Sequence, residues 1–258
     1  MKNKGIILTF IFGFIIFVFV HYINQKENDD MVYNEPIDEI VINNEIDDPS
    51  LGSIEENYRE MINRLRQENN NNDIKGILRI PNTTFNSIVP QGKDNSYYLR
   101  RLANKKYSRL GSTYLDYRVD IDKSSKLLIY GHNSSKYSMP FEILENYYNK
   151  DYYNSHKYIE LVTENSLKTY EVFSIYVEVK DYAYYQKMEF DNDDDWYSHI
   201  KRMKDKSMYD TGVDIAKDDK ILILQTCSTH KDYLKYKKKY LLIISKEVRV
   251  DEINEEND

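Results

Sequence analysis

The chain carries a single cysteine, Cys227, in the stretch "ILILQTCSTHKDY" at 221–233, and five histidines. A thiol attacks carbonyl carbon as its thiolate, so a cysteine used in this way needs a base or a cation that favours loss of its proton. Cys227 closes a run of aliphatic residues that reads as a buried strand, which would hold the thiol on rigid backbone at the edge of a cleft. The competing reading is inert: a free cysteine often serves as a small hydrophobe in a core.

Histidine is the usual partner of such a thiol. His21 borders an apolar segment, His156 and His199 stand in polar contexts, and His230 follows Cys227 by three residues in a lysine-rich loop. His132, in "LLIYGHNSS", ends a second apolar strand. Two strands of one sheet can present their terminal side chains together, so His132 is the expected base and His230 its rival. Neither has a second ligand at a spacing suited to zinc, so no metal or other cofactor is expected. A serine hydrolase is disfavoured because no Gly-x-Ser-x-Gly elbow occurs.

The elements that must position these residues begin near Ser53. In "SIEENYREMINRLRQENNNND", Ser53 and Glu56 form a candidate capping box, and Ile54, Tyr58, Met61, Ile62 and Leu65 fall on one helical face. From Gly76 the texture changes to short alternating segments: "GILRIPNTTFNSIVPQG", "GSTYLDY", "KLLIYGHNSS", "KYIELVTEN", "LKTYEVFSIYVEV", "KILILQTCS" and "KYLLIISKEVRV". Evenly spaced strands of this kind predict a mainly β fold closed, or nearly closed, into a barrel. Helices are expected at "MPFEILENYYN" and at "DDDWYSHIKRMKDKSM", whose leading aspartates suit a helix N-terminus.

Ahead of the folded part, Lys2 and Lys4 precede "GIILTFIFGFIIFVFVHYI", a nearly uncharged stretch close to the ~20 residues that cross a bilayer as a helix. The expected organisation is a membrane anchor at 1–25, an acidic flexible linker at 26–52 and a catalytic domain at 53–258. Positive residues before the span and acidic ones after it place that domain outside the cell. The net charge of −7 argues against a sequence-independent grip on nucleic acid, and the basic run "KYKKKY" at 235–240 reads as a solvated loop.

Together, "TCS" after an aliphatic strand, "YGHN", "GILRIPNTTFNSIVPQGKDNSYYLRR" and "GSTYLDYR" resemble the sortases, membrane-anchored cysteine transpeptidases of Gram-positive bacteria. Gln225 stands where the family often has Thr or Ser. The helix before the barrel and the insertion "DDDWYSHIKRMKDKSMYDTG" are similar to class B, and the likeness covers about residues 54–248. The resemblance implies an eight-stranded β-barrel. It implies Cys227 as nucleophile toward the threonine carbonyl of an Asn-Pro-x-Thr-x sorting signal on a secreted protein. His132 would then protonate the leaving amine and deprotonate the incoming one. The acceptor implied is an amine of peptidoglycan or its lipid-linked precursor.

The groove walls implied are Asn95, Leu99 and Tyr130, with Thr226 beside the thiol and the backbone N–H of Ser228 helping to hold an oxyanion. One departure stands out. The family carries an arginine in the last strand facing the Cys and His, and Tyr240 occupies that place, with Lys239 or Lys238 as substitutes if the register slips. A lysine lacks the planar fork of arginine. Two other readings therefore stay open: a transpeptidase that polymerises pilins, and a silent surface binding protein that keeps the barrel without the chemistry.

Overall fold

The computed structural model describes residues 52–179 and 182–252, with backbone alone for 52–57 and 182–183. The expected anchor and most of the expected linker lie outside the described residues, as do the last six residues of the chain. Among the described residues no helix is long and apolar enough to cross a membrane.

Helix α1 spans Gly52–Glu68. Its buried face is Tyr58, Met61, Ile62 and Leu65, the face its spacing predicts. The asparagine run ends it: Asn69 Nδ2 donates to the carbonyl of Leu65 at 2.9 Å, and Asn70 takes the left-handed conformation with φ of 46°. The expected capping box falls where only backbone is described.

Eight strands follow: β1 (Ile74–Arg79), β2 (Asn86–Pro90), β3 (Tyr114–Leu115), β4 (Lys126–Tyr130), β5 (Tyr158–Thr163), β6 (Ser166–Glu178), β7 (Ile221–Cys227) and β8 (Tyr240–Glu252). The seven alternating segments yield eight strands because 76–92 folds as a hairpin, its turn set by Asn82 at φ of 63° and by Thr83 Oγ1 donating to the Ile80 carbonyl. One sheet takes the order β2-β1-β5-β6-β8-β7-β4-β3, and its two ends, β2 and β3, lie against each other, so the barrel is nearly closed. All pairings are antiparallel except β4 with β7, which run parallel.

Strands β4 and β7 and the first half of β8 are buried on both faces, which explains why these stretches are nearly continuous aliphatic runs. Leu127, Ile129, Leu222, Leu224, Leu241 and Ile243 fill the barrel interior. Leu128, Tyr130, Ile221, Ile223, Leu242 and Ile244 form the outer face, covered by the insertion between β6 and β7. That insertion contains α3 (Tyr182–Tyr185) and α4 (Asp193–Asp205). Asn192 caps α4 by accepting from the N–H groups of Asp194 and Asp195, both at 3.0 Å, and three aspartates occupy its first turn, as its dipole favours. His199, read as polar from its neighbours, is instead buried in α4 beside Trp196, Ile200 and Met203.

The helix expected at "MPFEILENYYN" forms as a 3-10 helix, Pro140–Tyr148, and the α2 helix Lys150–Ser155 starts anew where Asn149 Oδ1 accepts from the Asp151 N–H at 2.8 Å. Because α1 enters the fold through a narrow apolar face, Ile62→Ala should lower the stability of the domain by about 2–4 kcal/mol in urea unfolding. The alkylation rate of the folded Cys227 thiol should not change. An unfolding midpoint equal to that of the wild type would show that α1 is not docked.

Candidate active site

Parallel pairing decides which side chains meet. Tyr130 of β4 is in register with Gln225 of β7, and the Gly131 N–H continues the ladder to the Gln225 carbonyl at 3.1 Å. Carried beyond the end of β4, the same register would set Gly131 with Thr226 and His132 with Cys227. In-register residues of parallel strands share a face, and Tyr130, His132, Gln225 and Cys227 all belong to the outer one by alternation. The thiol is therefore outside the barrel, and Cys227 is exposed. Cys227 also pairs with Tyr240 of β8.

Several bonds fix this junction. Thr226 Oγ1 donates to the Gly131 carbonyl at 2.9 Å, and Asn133 Nδ2 donates to the Cys227 carbonyl at 3.1 Å and to Glu145 Oε1 at 3.0 Å. The same Glu145 oxygen accepts from the Thr229 N–H at 2.6 Å, so one carboxylate of the 3-10 helix ties the chain after His132 to the chain after Cys227. Tyr148, at the end of that helix, shares a 2.7 Å hydrogen bond with Ser228 Oγ. Gly131 permits the approach: a Cβ there would lie 2.5 Å from the Phe141 ring.

His132 is held from the other side. Its Nε2 is 2.8 Å from the Leu99 carbonyl. A carbonyl only accepts, so Nε2 carries a proton and Nδ1 is left to exchange one. Gly111 makes room for this contact, since at its φ of 62° a Cβ would sit 2.5 Å from the Leu99 oxygen and 3.0 Å from His132 Cδ2. His230, the rival base, is occupied elsewhere. Its ring lies on Tyr148 with centroids 4.5 Å apart, and its Nδ1 accepts from the Asp232 N–H at 3.4 Å.

The expected groove walls are drawn together by a residue the sequence reading passed over. Asp116 is fully buried and accepts from Tyr130 Oη at 2.7 Å, Asn95 Nδ2 at 2.9 Å and Arg118 Nη2 at 2.7 Å. Burial alone would raise its pKa, but the bonds from Arg118, Tyr130 and Asn95 outweigh that and hold the carboxylate below its ordinary range. Asn95 Oδ1 also accepts from the Tyr117 N–H at 3.0 Å. Leu99 is 36% exposed and offers an apolar surface beside His132.

The oxyanion expectation requires correction. The Ser228 N–H donates to the Lys239 carbonyl at 2.9 Å, because the β7–β8 ladder continues one residue past the thiol. It is therefore not turned toward a reacting carbonyl. The Ser228 and Thr226 side chains are likewise buried on protein partners. They brace the site from behind.

Crowding by protein raises the Cys227 pKa, and the charge that works against this is Lys239. Lys239 is half-buried, with Nζ 3.2 Å from the Tyr236 carbonyl. Tyr240 stands in register with the thiol, and its ring is 6.3 Å from that of Tyr185, a buried residue of the insertion. Arg249 binds Asp251 at 2.8 Å on the exposed part of β8. Among the described residues, no group of three His, Cys, Asp or Glu is placed to hold a metal ion.

Comparison with known proteins gives a consistent result. The sortase domain family matches residues 78–247. Sortase B of Listeria monocytogenes is 36% identical over 170 residues, covering 64% of this chain and 67% of that protein. Sortase B of Staphylococcus aureus is 30% identical over 182 residues, covering 70% and 72%. Among solved structures, a mutant form of Clostridium perfringens sortase B superposes with a TM-score of 0.69 at 28% identity, covering 78% of this chain and 92% of that one. A complex of S. aureus sortase B with substrate gives 0.66 at 26% identity, covering 77% and 94%.

Because a nearby cation favours the thiolate, Lys239→Gln should move the pH of half-maximal Cys227 alkylation upward. Arg249→Gln should leave it in place. An unchanged profile in Lys239→Gln would remove Lys239 from the electrostatics of the site.

Proposed function

Since the chain belongs to the sortase family and, among sortase B relatives, is a cysteine transpeptidase, we propose that it joins secreted proteins bearing a C-terminal sorting signal of the Asn-Pro-x-Thr-x kind to a cell-wall amine. The observation that supports this reading is the parallel register of β4 and β7, in which Tyr130 pairs with Gln225 and which, carried two residues further, would bring His132 alongside Cys227.

In the proposed reaction the signal peptide lies extended along the outer face beside Leu99. The resting thiol is protonated, since crowding raises its pKa. As sulfur attacks the threonine carbonyl, His132 Nδ1 takes its proton, and the Leu99 carbonyl supports the resulting imidazolium through the Nε2–H. Collapse of the tetrahedral adduct breaks the Thr–x bond. The imidazolium returns the proton to the departing amine, leaving a thioester on Cys227 and neutral His132. An amino group of peptidoglycan or its lipid-linked precursor then attacks the thioester, loses its proton to Nδ1, and forms the new amide as sulfur leaves and is reprotonated. The S. aureus protein was solved with a substrate, which supports a peptide in the corresponding groove. The apolar residues 1–25 support a single membrane span with the domain outside the cell, where both substrates are present.

The silent alternative draws on Tyr240 at the place of the family arginine, and it separates cleanly by assay. The full chain should cleave an Asn-Pro-x-Thr-x peptide, and Cys227→Ala and His132→Ala should each reduce that rate by at least about 10³-fold, as loss of a nucleophile or its base does. Their far-ultraviolet circular dichroism should not change. Ordinary turnover by either variant would defeat the proposal, and an inert wild type facing a panel of such peptides would favour the silent reading.

A further inference from the structure

A buried lysine outside the reacting groups has no part in the mechanism above. Lys126, the first residue of β4, is 4% exposed, and its ammonium has three partners: the carbonyl of Tyr185 at 2.6 Å, the carbonyl of Lys187 at 2.8 Å and His199 Nε2 at 2.9 Å. The carbonyl between them, that of Gln186, accepts from Arg118 Nη1 at 3.2 Å. Three consecutive carbonyl oxygens of the insertion thus face two cations on the barrel. They lie at and just beyond the C-terminus of α3, where carbonyls with no further helical turn to bond suit positive charge.

Holding a lysine here is costly, since burial pushes its pKa down to about 7, with Arg118 and Lys187 adding to the effect. The fold also leaves a buried ring nitrogen orphaned. His199 Nε2 accepts from the ammonium, so the imidazole proton sits on Nδ1, which has no hydrogen-bond partner among the described residues. A methionine or leucine at 126 would fill the same apolar layer without either penalty. What the lysine supplies that they cannot is a directional hold on the 185–187 backbone.

That backbone carries Tyr185. Its side chain is buried against Tyr240, which is in register with Cys227, and burial raises its hydroxyl pKa, with Tyr240 and Cys227 adding to the effect. Arg118, the second cation, is bonded to Asp116, which holds Tyr130 and Asn95. We propose that Lys126 is a positioning residue that, with Arg118, pins the Tyr185–Lys187 backbone to the barrel and so sets the wall of the peptide groove that faces the thiol. This rests on the proposed function for its kinetic consequence and on geometry alone for the pinning itself.

Lys126→Met retains length and removes every donor. In the full chain it should raise KM for the sorting-signal peptide about tenfold while kcat stays within about threefold, the split expected when binding rather than bond-making is disturbed. Amide hydrogen exchange should accelerate in 184–190 and not in β4 or β7. The single tryptophan, Trp196, lies over His199 with ring centroids 6.0 Å apart, so its emission should report the loosening without any substrate. Lys126→Arg is the conservative control and the fallback if the methionine variant does not fold, because a cavity of about 520 Å³ adjoining residue 126 leaves room for a guanidinium. It should keep KM within about threefold of wild type. Unchanged exchange in 184–190 in Lys126→Met, or a fall in kcat with KM unaltered, would overturn the proposal. So would an arginine variant whose KM rises as far as that of the methionine variant. If the wild type cleaves no signal peptide the function fails, while exchange and tryptophan emission still decide whether Lys126 pins the segment.

Discussion

The molecule depends on one parallel strand pairing. Antiparallel neighbours can be set by a tight turn, but β4 and β7 are separated by about ninety residues of chain and must find their register through packing alone. A slip of one residue would send either His132 or Cys227 to the barrel interior. The structure guards against this from both ends. Leu127 and Ile129 with Leu222 and Leu224 fill the interior, and Leu128 with Ile221 and Ile223 fill the outer layer. Beyond the strands, Glu145 and Asn133 tie the two emerging chains together.

Electrostatics at the thiol are mild. Desolvation raises the thiol's pKa and Lys239 pulls the other way, while the Leu99 carbonyl accepts a hydrogen bond from His132 Nε2. Tyr240 sets a hydroxyl-bearing ring in register with the thiol, and Tyr185 stands beside it.

Much of this was legible in the sequence because period-two and period-3.6 patterns are local. The strand segments, the buried face of α1 and the positions of Cys227 and His132 at strand ends all follow from alternation and helical spacing. What was missed depends on partners distant in the chain. Glu145 meets Thr229, Asp116 gathers Asn95 and Tyr130, and the Ser228 N–H is engaged because the β7–β8 ladder continues to Lys239, one residue beyond both strands. His199 is a different case. It shares a helical face with Trp196, Ile200 and Met203, a pattern that marks it as buried, but its charged neighbours drew attention away. Lys126 gave no signal, since a lysine opening a strand normally reaches solvent.

The central claim is that Cys227, placed by the β4–β7 register beside His132, forms the covalent link to substrate. Mass spectrometry of the full chain quenched in acid during turnover of an Asn-Pro-x-Thr-x peptide tests it most directly. The account predicts an adduct equal in mass to the peptide through its threonine, attached to Cys227, cleaved by hydroxylamine and absent from His132→Ala. Cleavage of the peptide with no such adduct, or an adduct on any other residue, would contradict it.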